Sequence, residues 1–234
     1  MAHESRPSAA LGALRAAFPH TLPVLTGFTV LGLAYGVLMA SKGYGPGWSL
    51  LMSALCFCGS MQFAAIGLLT TAFEPIQALL LSLMVNARHL FYGVSMLERY
   101  KGLGKKRLFL IFALCDETFS ITSSVTPPPE TDRGWFYLWV SLLDYLYWVI
   151  ASVLGGVLGG VLPFDTTGLD FALTALFVVL FIEQLRRREN LAPGILGLAC
   201  TGAALFAAGP DNLVIPAMIL TLGCLLLGRR RLES

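Results

Sequence analysis

Residues 78–97 read ALLLSLMVNARHLFYGVSML. A run of this length can cross a bilayer as a helix, because about 20 apolar residues span the hydrocarbon core. Yet Asn86, Arg88 and His89 stand in its middle. An ionisable side chain at such depth costs roughly 2.5–3.5 kcal/mol on insertion scales, so it faces a cavity, a partner charge or a solute. Residues 107–125, RLFLIFALCDETFSITSSV, repeat the pattern with Asp116 and Glu117. The two stretches define a helical membrane protein with a polar pathway through it.

Composition agrees. Of 234 residues, 56% are hydrophobic and 13% charged, against about 25% charged in soluble domains, and the mean hydropathy is +0.73. A water-soluble fold would lack polar surface. The net charge of +2 and pI near 8.3 come from clusters of arginine and lysine at segment ends, which suit anionic lipid headgroups. No nucleic-acid motif is present, so a lipid bilayer and not a nucleic acid is the expected partner. Cys56, Cys58, Cys115, Cys200 and Cys224 show no C-x-x-C spacing and no histidine set. They read as buried small apolar side chains, with no metal or cofactor expected. The start, MAHESRPSAALGALRAAF, lacks the pattern of a cleaved signal peptide.

Apolar runs predict helices over 22–40, 49–73, 75–97, 107–125, 135–162, 169–184, 191–208 and 213–227, separated by turn-forming Gly/Pro/Asp stretches. The fold class is an all-α integral membrane protein, a polytopic bundle of seven or eight membrane segments. Its organisation is a cytoplasmic amino-terminal segment over 1–21, one transmembrane domain over 22–228 and a basic cytoplasmic tail over 229–234. The amino-terminal half and the half after residues 127–133 can be laid over each other, with Gly32-x-x-x-Gly36 on Gly155-x-x-x-Gly159 and the run ending at Gln62 on that ending at Gln184. Glycines four apart allow close helix approach, and repeats of this kind are common in secondary transporters.

Arginine and lysine favour the cytoplasmic side. Arg6 and Arg15 place the amino terminus inside, and Arg186–Arg188 and Arg229–Arg231 are inside if every segment spans. Arg99, Lys101, Lys105, Lys106 and Arg107 then fall outside. Either a segment in the first half is re-entrant or this cluster breaks the rule. The stretches around Cys58-Gly59-Ser60 and around Asp116 are the candidates for incomplete crossing, since non-helical backbone at depth is tolerated where it lines a cavity.

Asn86 and His89 share a helix face, and Arg88 points toward Tyr92. An amide, an imidazole and a guanidinium together suit a carboxylate, which arginine binds through two parallel hydrogen bonds. The alternative is an arginine paired with an acid to hold helices together, or one snorkelling to the interface. Asp116 or Glu117 can neutralise Arg88 or carry a proton, because desolvation moves a carboxylate toward loading near neutral pH. Gly59, Ser60 and Gln62 offer backbone and amide contacts to a solute, or a packing notch with Gln62 bonded across helices. Asp144, one turn before Trp148, is a further intramembrane acid, as pathway residue or as structural pair. No H-E-x-x-H, G-x-S-x-G or P-loop motif occurs, so no catalytic residue is assigned.

GLAYGVL (32–38), CGSMQFA (58–64), VNARHLFYGVS (85–95), CDETFSI (115–121), Asp144-x-x-x-Trp148 with the paired glycines up to Gly160, and GLDFALTALFVVL (168–180) occur in this order. Together they resemble the AzlC family, the large subunit of a two-component branched-chain amino acid exporter. The resemblance covers about 27–227. It implies a secondary exporter of leucine, isoleucine and valine, in some members methionine, that works in the cytoplasmic membrane with a small AzlD-type membrane subunit. It carries no catalytic site, so the residue roles above stay physical. Ala87 departs from it, since a leucine commonly stands between the asparagine and the arginine. A zwitterion with an apolar side chain needs a cation, an acid or carbonyl, and apolar walls, which Arg88, Asp116 or Glu117, and Phe57, Phe63 and Phe91 can supply. A passive channel, a transporter of another solute, or an intramembrane hydrolase using His89 with Asp116 are the other readings.

Overall fold

The computed structural model describes residues 6–70, 74–161, 178, 181–182, 185–186, 188–209 and 213–232. Among them all regular structure is helical: α1 (Arg6–Ser41), α2 (Pro46–Leu55), α3 (Gly59–Thr70), α4 (Pro75–Met96), α5 (Lys106–Phe112), α6 (Asp116–Ser124), α7 (Arg133–Val161), α8 (Arg188–Ala208) and α9 (Val214–Leu232). The chain is an all-α integral membrane protein. Ala9–Ser41, Arg133–Val161 and Leu191–Ala208 are long and apolar enough to cross a membrane. α4 has the length, at 22 residues, and its polar centre lowers its hydropathy. Two compact units divide the chain, Met1–Thr166 and Thr167–Ser234. In the second, α8 packs on α9. Most of the segment expected over 169–184, Gln184 included, lies outside the described residues.

In the first unit α1 and α7 form the central packed pair. Trp139 Nε1 donates to Ala10 O at 2.9 Å, Thr21 Oγ1 lies 3.2 Å from the Tyr147 hydroxyl, Gly32 faces Ala151, Gly36 faces Ser152 and Gly156, and Gly159 faces Val37 and Ala40. These contacts ascend together along both helices, so α1 and α7 run parallel. The four glycines that align the two halves meet here, where they let backbones touch. α1 begins at Arg6 and not at residue 22. Ala13 and Ala17 are fully packed, and this packing keeps the segment helical through Pro19 and Pro23, which membrane helices tolerate.

The run over 49–73, expected as one helix, is a hairpin. α2 descends along α7, from Pro46 against Gly156 to Ala54, whose carbonyl accepts from the Tyr145 hydroxyl at 3.0 Å. The chain reverses through Phe57, and α3 climbs back from Gly59 against Trp148 until Leu69 O accepts from the Tyr44 hydroxyl at 2.8 Å. Phe57 holds φ at +37°, a left-handed conformation costing a bulky residue about 1–3 kcal/mol. Its burial against the Tyr145 ring, centroids 5.1 Å apart, offsets that cost.

The run over 107–125 is a second hairpin. α5 climbs α7 from Lys106, 3.5 Å from Asp132 and over the Trp135 ring, to Phe112 beside Tyr145. The chain turns at Ala113–Cys115, and α6 returns from Thr118, bonded to Asp144, toward Ile121, which clusters with Phe136 and Tyr137. α4 runs opposite to α7: Asn86 sits at the first hairpin's turn, and Met96 and Tyr100 join the cluster at the start of α7. The hairpins thus enter from opposite ends of the bundle, and their tips meet midway along α7. The end where α1 and α7 start also holds the loop with Arg99, Lys101 and Lys105, which is fixed there by Arg99 Nη1 donating to Thr122 O at 3.0 Å and Arg133 Nη2 donating to Lys101 O at 3.3 Å.

Candidate functional site between two hairpin tips

Each returning helix begins at a tip, so the amino-terminal ends of α3 and α6 approach each other inside the bundle. Those ends expose unpaired backbone N–H groups and a partial positive charge. Arg88, from the middle of α4, spans the gap: its Nη2 donates to Ser60 Oγ at 2.6 Å on α3 and lies 3.1 Å from Asp116 Oδ2 on α6. Both side chains of the pair are partly open, 42% and 39% exposed. One arginine therefore ties tip to tip, and an incoming anion can compete with Asp116 for it.

The other predicted residues separate into two groups. Asn86 accepts from Cys58 Sγ at 2.8 Å, which holds α4 against the first tip, and donates to Ser82 Oγ one turn earlier on α4 at 3.4 Å. His89 packs edge-on against Tyr92, and Tyr92 stacks on Phe119 of α6 at 4.3 Å. Glu117 stands beside Asp116 in the first turn of α6. These gather at the Arg88 gap with Gly59 and Ser60. Gln62 does not: 1% exposed, it donates to Ser53 Oγ at 3.0 Å and accepts from Trp148 Nε1 at 2.8 Å. Both ends of its amide are thus engaged across helices. Asp144 is fully buried on α7 and accepts from Thr118 Oγ1 at 3.0 Å.

Of the aromatic walls expected around a substrate, Phe57 and Phe63 are core residues and Phe91 is 72% exposed. A cavity of about 340 Å³ instead opens beside His89, between α4 and α5, lined by Leu90, Val94, Leu97, Ile111 and Leu114 among others. The cysteine expectation holds for Cys115 and Cys200, whereas Cys56 is exposed and Cys58 and Cys224 are half-buried. Sequence reasoning missed Thr118, although it lies inside the CDETFSI stretch, because a threonine in a helix carries no signal of its own.

A bundle of apolar helices enclosing a charged site between inward-pointing hairpins defines a polytopic membrane protein of the α-helical class. The model of the family described as AzlC protein matches residues 23–162. The chain is 47% identical over 232 residues to the branched-chain amino acid transport protein AzlC of Bacillus subtilis, covering 99% of this chain and 91% of that one. It is 41% identical over 208 residues to an uncharacterized membrane protein of Haemophilus influenzae, covering 88% and 85%. To the inner membrane protein YgaZ of Escherichia coli it is 27% identical over 219 residues, again covering 88% and 85%. No solved structure matches it. The chain belongs to the AzlC family.

Proposed function

We propose that this chain exports branched-chain amino acids across the cytoplasmic membrane, as the large subunit beside a small AzlD-type membrane protein, and that the proton gradient drives it. The observation that carries the reading is Arg88 held between two hairpin tips. The arrangement offers a guanidinium and two helix amino-terminal ends to a carboxylate, Asp116 or Glu117 to an ammonium group, and the neighbouring 340 Å³ apolar cavity to a leucine-sized side chain. The near full-length likeness to a branched-chain amino acid transport protein supports the substrate class. The motif resemblance supports export and the small partner. Purified chain should move preloaded labelled leucine or valine out of vesicles saturably, and more when the small subunit is added. Product formation without movement, or unsaturable leakage, would exclude the reading.

Re-entrant hairpins would also reconcile the charge count with one orientation. With both hairpins re-entrant, α1, α4 and α7 are the crossings of the first unit, and the 99–107 cluster lies at the same end as Arg15 and Arg133. We assign that end to the cytoplasm, as the arginine and lysine bias requires. A cysteine placed at Lys101 should then react with a membrane-impermeant maleimide only from the cytoplasmic face, and one at Gly45 only from the outer face. The reverse pattern, or both on one face, would break the hairpin topology or its orientation.

A further inference from the structure

Asp144 is a fully buried acid that none of the described ion pairs includes; Glu117, in the first turn of α6, is outside them too but is only partly buried. Asp116 is committed to Arg88. Its side chain is fully buried, Oδ2 accepts from Thr118 Oγ1 at 3.0 Å, and Oδ1 has no hydrogen-bond partner. One turn earlier on the same face, the buried Ser141 hydroxyl is unpartnered too. An ionised carboxylate in that position would be a buried charge with no cation to compensate it. A proton on Oδ1 removes the charge and keeps the Thr118 bond on Oδ2. We propose that Asp144 is the binding site of the coupling proton. This rests on the reading of the chain as a gradient-driven transporter and assigns the acid that does it.

The surroundings fit a single-proton site. From α6, Thr118 contacts Asp144 directly, and Glu117 and the Cys115 thiol are the other titratable groups near it. From α1, His20 packs on Phe136 and Tyr35 on Trp148, to either side along α7. From α5, Phe109 and Phe112 pack on Tyr145, and from α2 the contact is the Ala54 carbonyl, so neither brings a charge.

The site is also mechanically connected. Thr118 is two residues from Asp116 on α6, so the helix that reports the state of Asp144 carries the counter-charge of Arg88. An ionised Asp144 holds Thr118 through a charge-assisted bond, and a neutral one holds it more weakly. The proton enters from one side onto Oδ1, loosens the second hairpin tip, and leaves to the other side when the tip has moved. One proton is bound and one released per cycle, with no bond made elsewhere.

The test uses sealed proteoliposomes carrying the full chain, with the small subunit where leucine exchange needs it. Two rates are measured for each protein: leucine–leucine exchange without a gradient, and leucine movement driven by an imposed pH gradient with the voltage clamped. In Asp144→Asn the ratio of driven movement to exchange should fall about tenfold or more, because a carboxamide cannot load a proton, and Asp144→Glu should restore part of it. Thr118→Val keeps the acid and serves if the asparagine variant does not fold. It should displace the pH midpoint of driven transport by about half a unit or more. An unchanged ratio in Asp144→Asn, or an unmoved midpoint in Thr118→Val, overturns the assignment. If the wild-type chain exchanges leucine but ignores the pH gradient, proton coupling itself falls, and the Asp144 assignment with it.

Discussion

Replacing Gly36 with alanine should prevent stable folding of the first unit, and the same substitution at Gly27 on the same helix should do no harm. A Cβ at Gly36 would fall on the Ser152 carbonyl oxygen and the Gly156 nitrogen, with the Gly155 carbonyl carbon 2.7 Å away, all of them backbone. A flexible side chain could swing aside, but two packed helices can only separate, and separation would forfeit the α1–α7 contact along its length. Overpacking typically costs 1–3 kcal/mol, and this case belongs at or above about 3 kcal/mol because no rotamer relieves it. Gly155 is the reciprocal test, since a Cβ there meets the Leu33 carbonyl oxygen and, at 2.8 Å, its Cα. Gly27 has nothing within 4 Å, so alanine there should be neutral or stabilise the helix by up to about 1 kcal/mol. Thermal unfolding of the three variants in detergent decides it: equal melting temperatures would mean that the α1–α7 packing is wrong.

The long helices were legible because they are uninterrupted in both sequence and space. The stretch expected over 135–162 is Arg133–Val161, and that over 75–97 is Pro75–Met96. The hairpins were not, because hydropathy cannot tell an apolar run that crosses from one that turns back midway. The polar stretches around Cys58-Gly59-Ser60 and Asp116 marked both places as candidates for incomplete crossing, but the turns themselves carry no strong break. Leu55–Cys58 and Ala113–Cys115 contain no proline or glycine, and the first reverses through a phenylalanine whose left-handed backbone is imposed by packing on Tyr145. The signal that some segment must fail to cross was electrostatic. The 99–107 cluster could not share a side with the amino terminus unless part of the first half failed to cross, and two opposed hairpins meet that condition. The same limit applied to the site. Arg88, Asp116 and Ser60 stand out as polar groups in apolar runs, but which acid faces the arginine, and that Gln62 is occupied by Trp148 and Ser53, depends on contacts between elements far apart in the chain.

Arg88 and Asp116 should prove energetically coupled, and the loss of either should stop transport. The magnitude follows from exposure. A fully buried pair broken on one side costs 3–5 kcal/mol, whereas a pair in open water contributes about 0.2–1 kcal/mol. At 42% and 39% exposure the pair lies between these limits, so a double-mutant cycle should return an interaction of about 1–3 kcal/mol. Arg88→Leu leaves Asp116 facing Glu117 with no cation, and Asp116→Leu leaves Arg88 with only the Ser60 hydroxyl. The double variant removes both charges and should recover stability. It should not recover leucine export, because the guanidinium that would hold the substrate carboxylate is gone. Folding and transport therefore separate in the double variant, and only there. Additive effects on stability would show that the pair is not coupled, and export restored by the double variant would remove Arg88 from substrate binding and leave it a tie between the two hairpin tips.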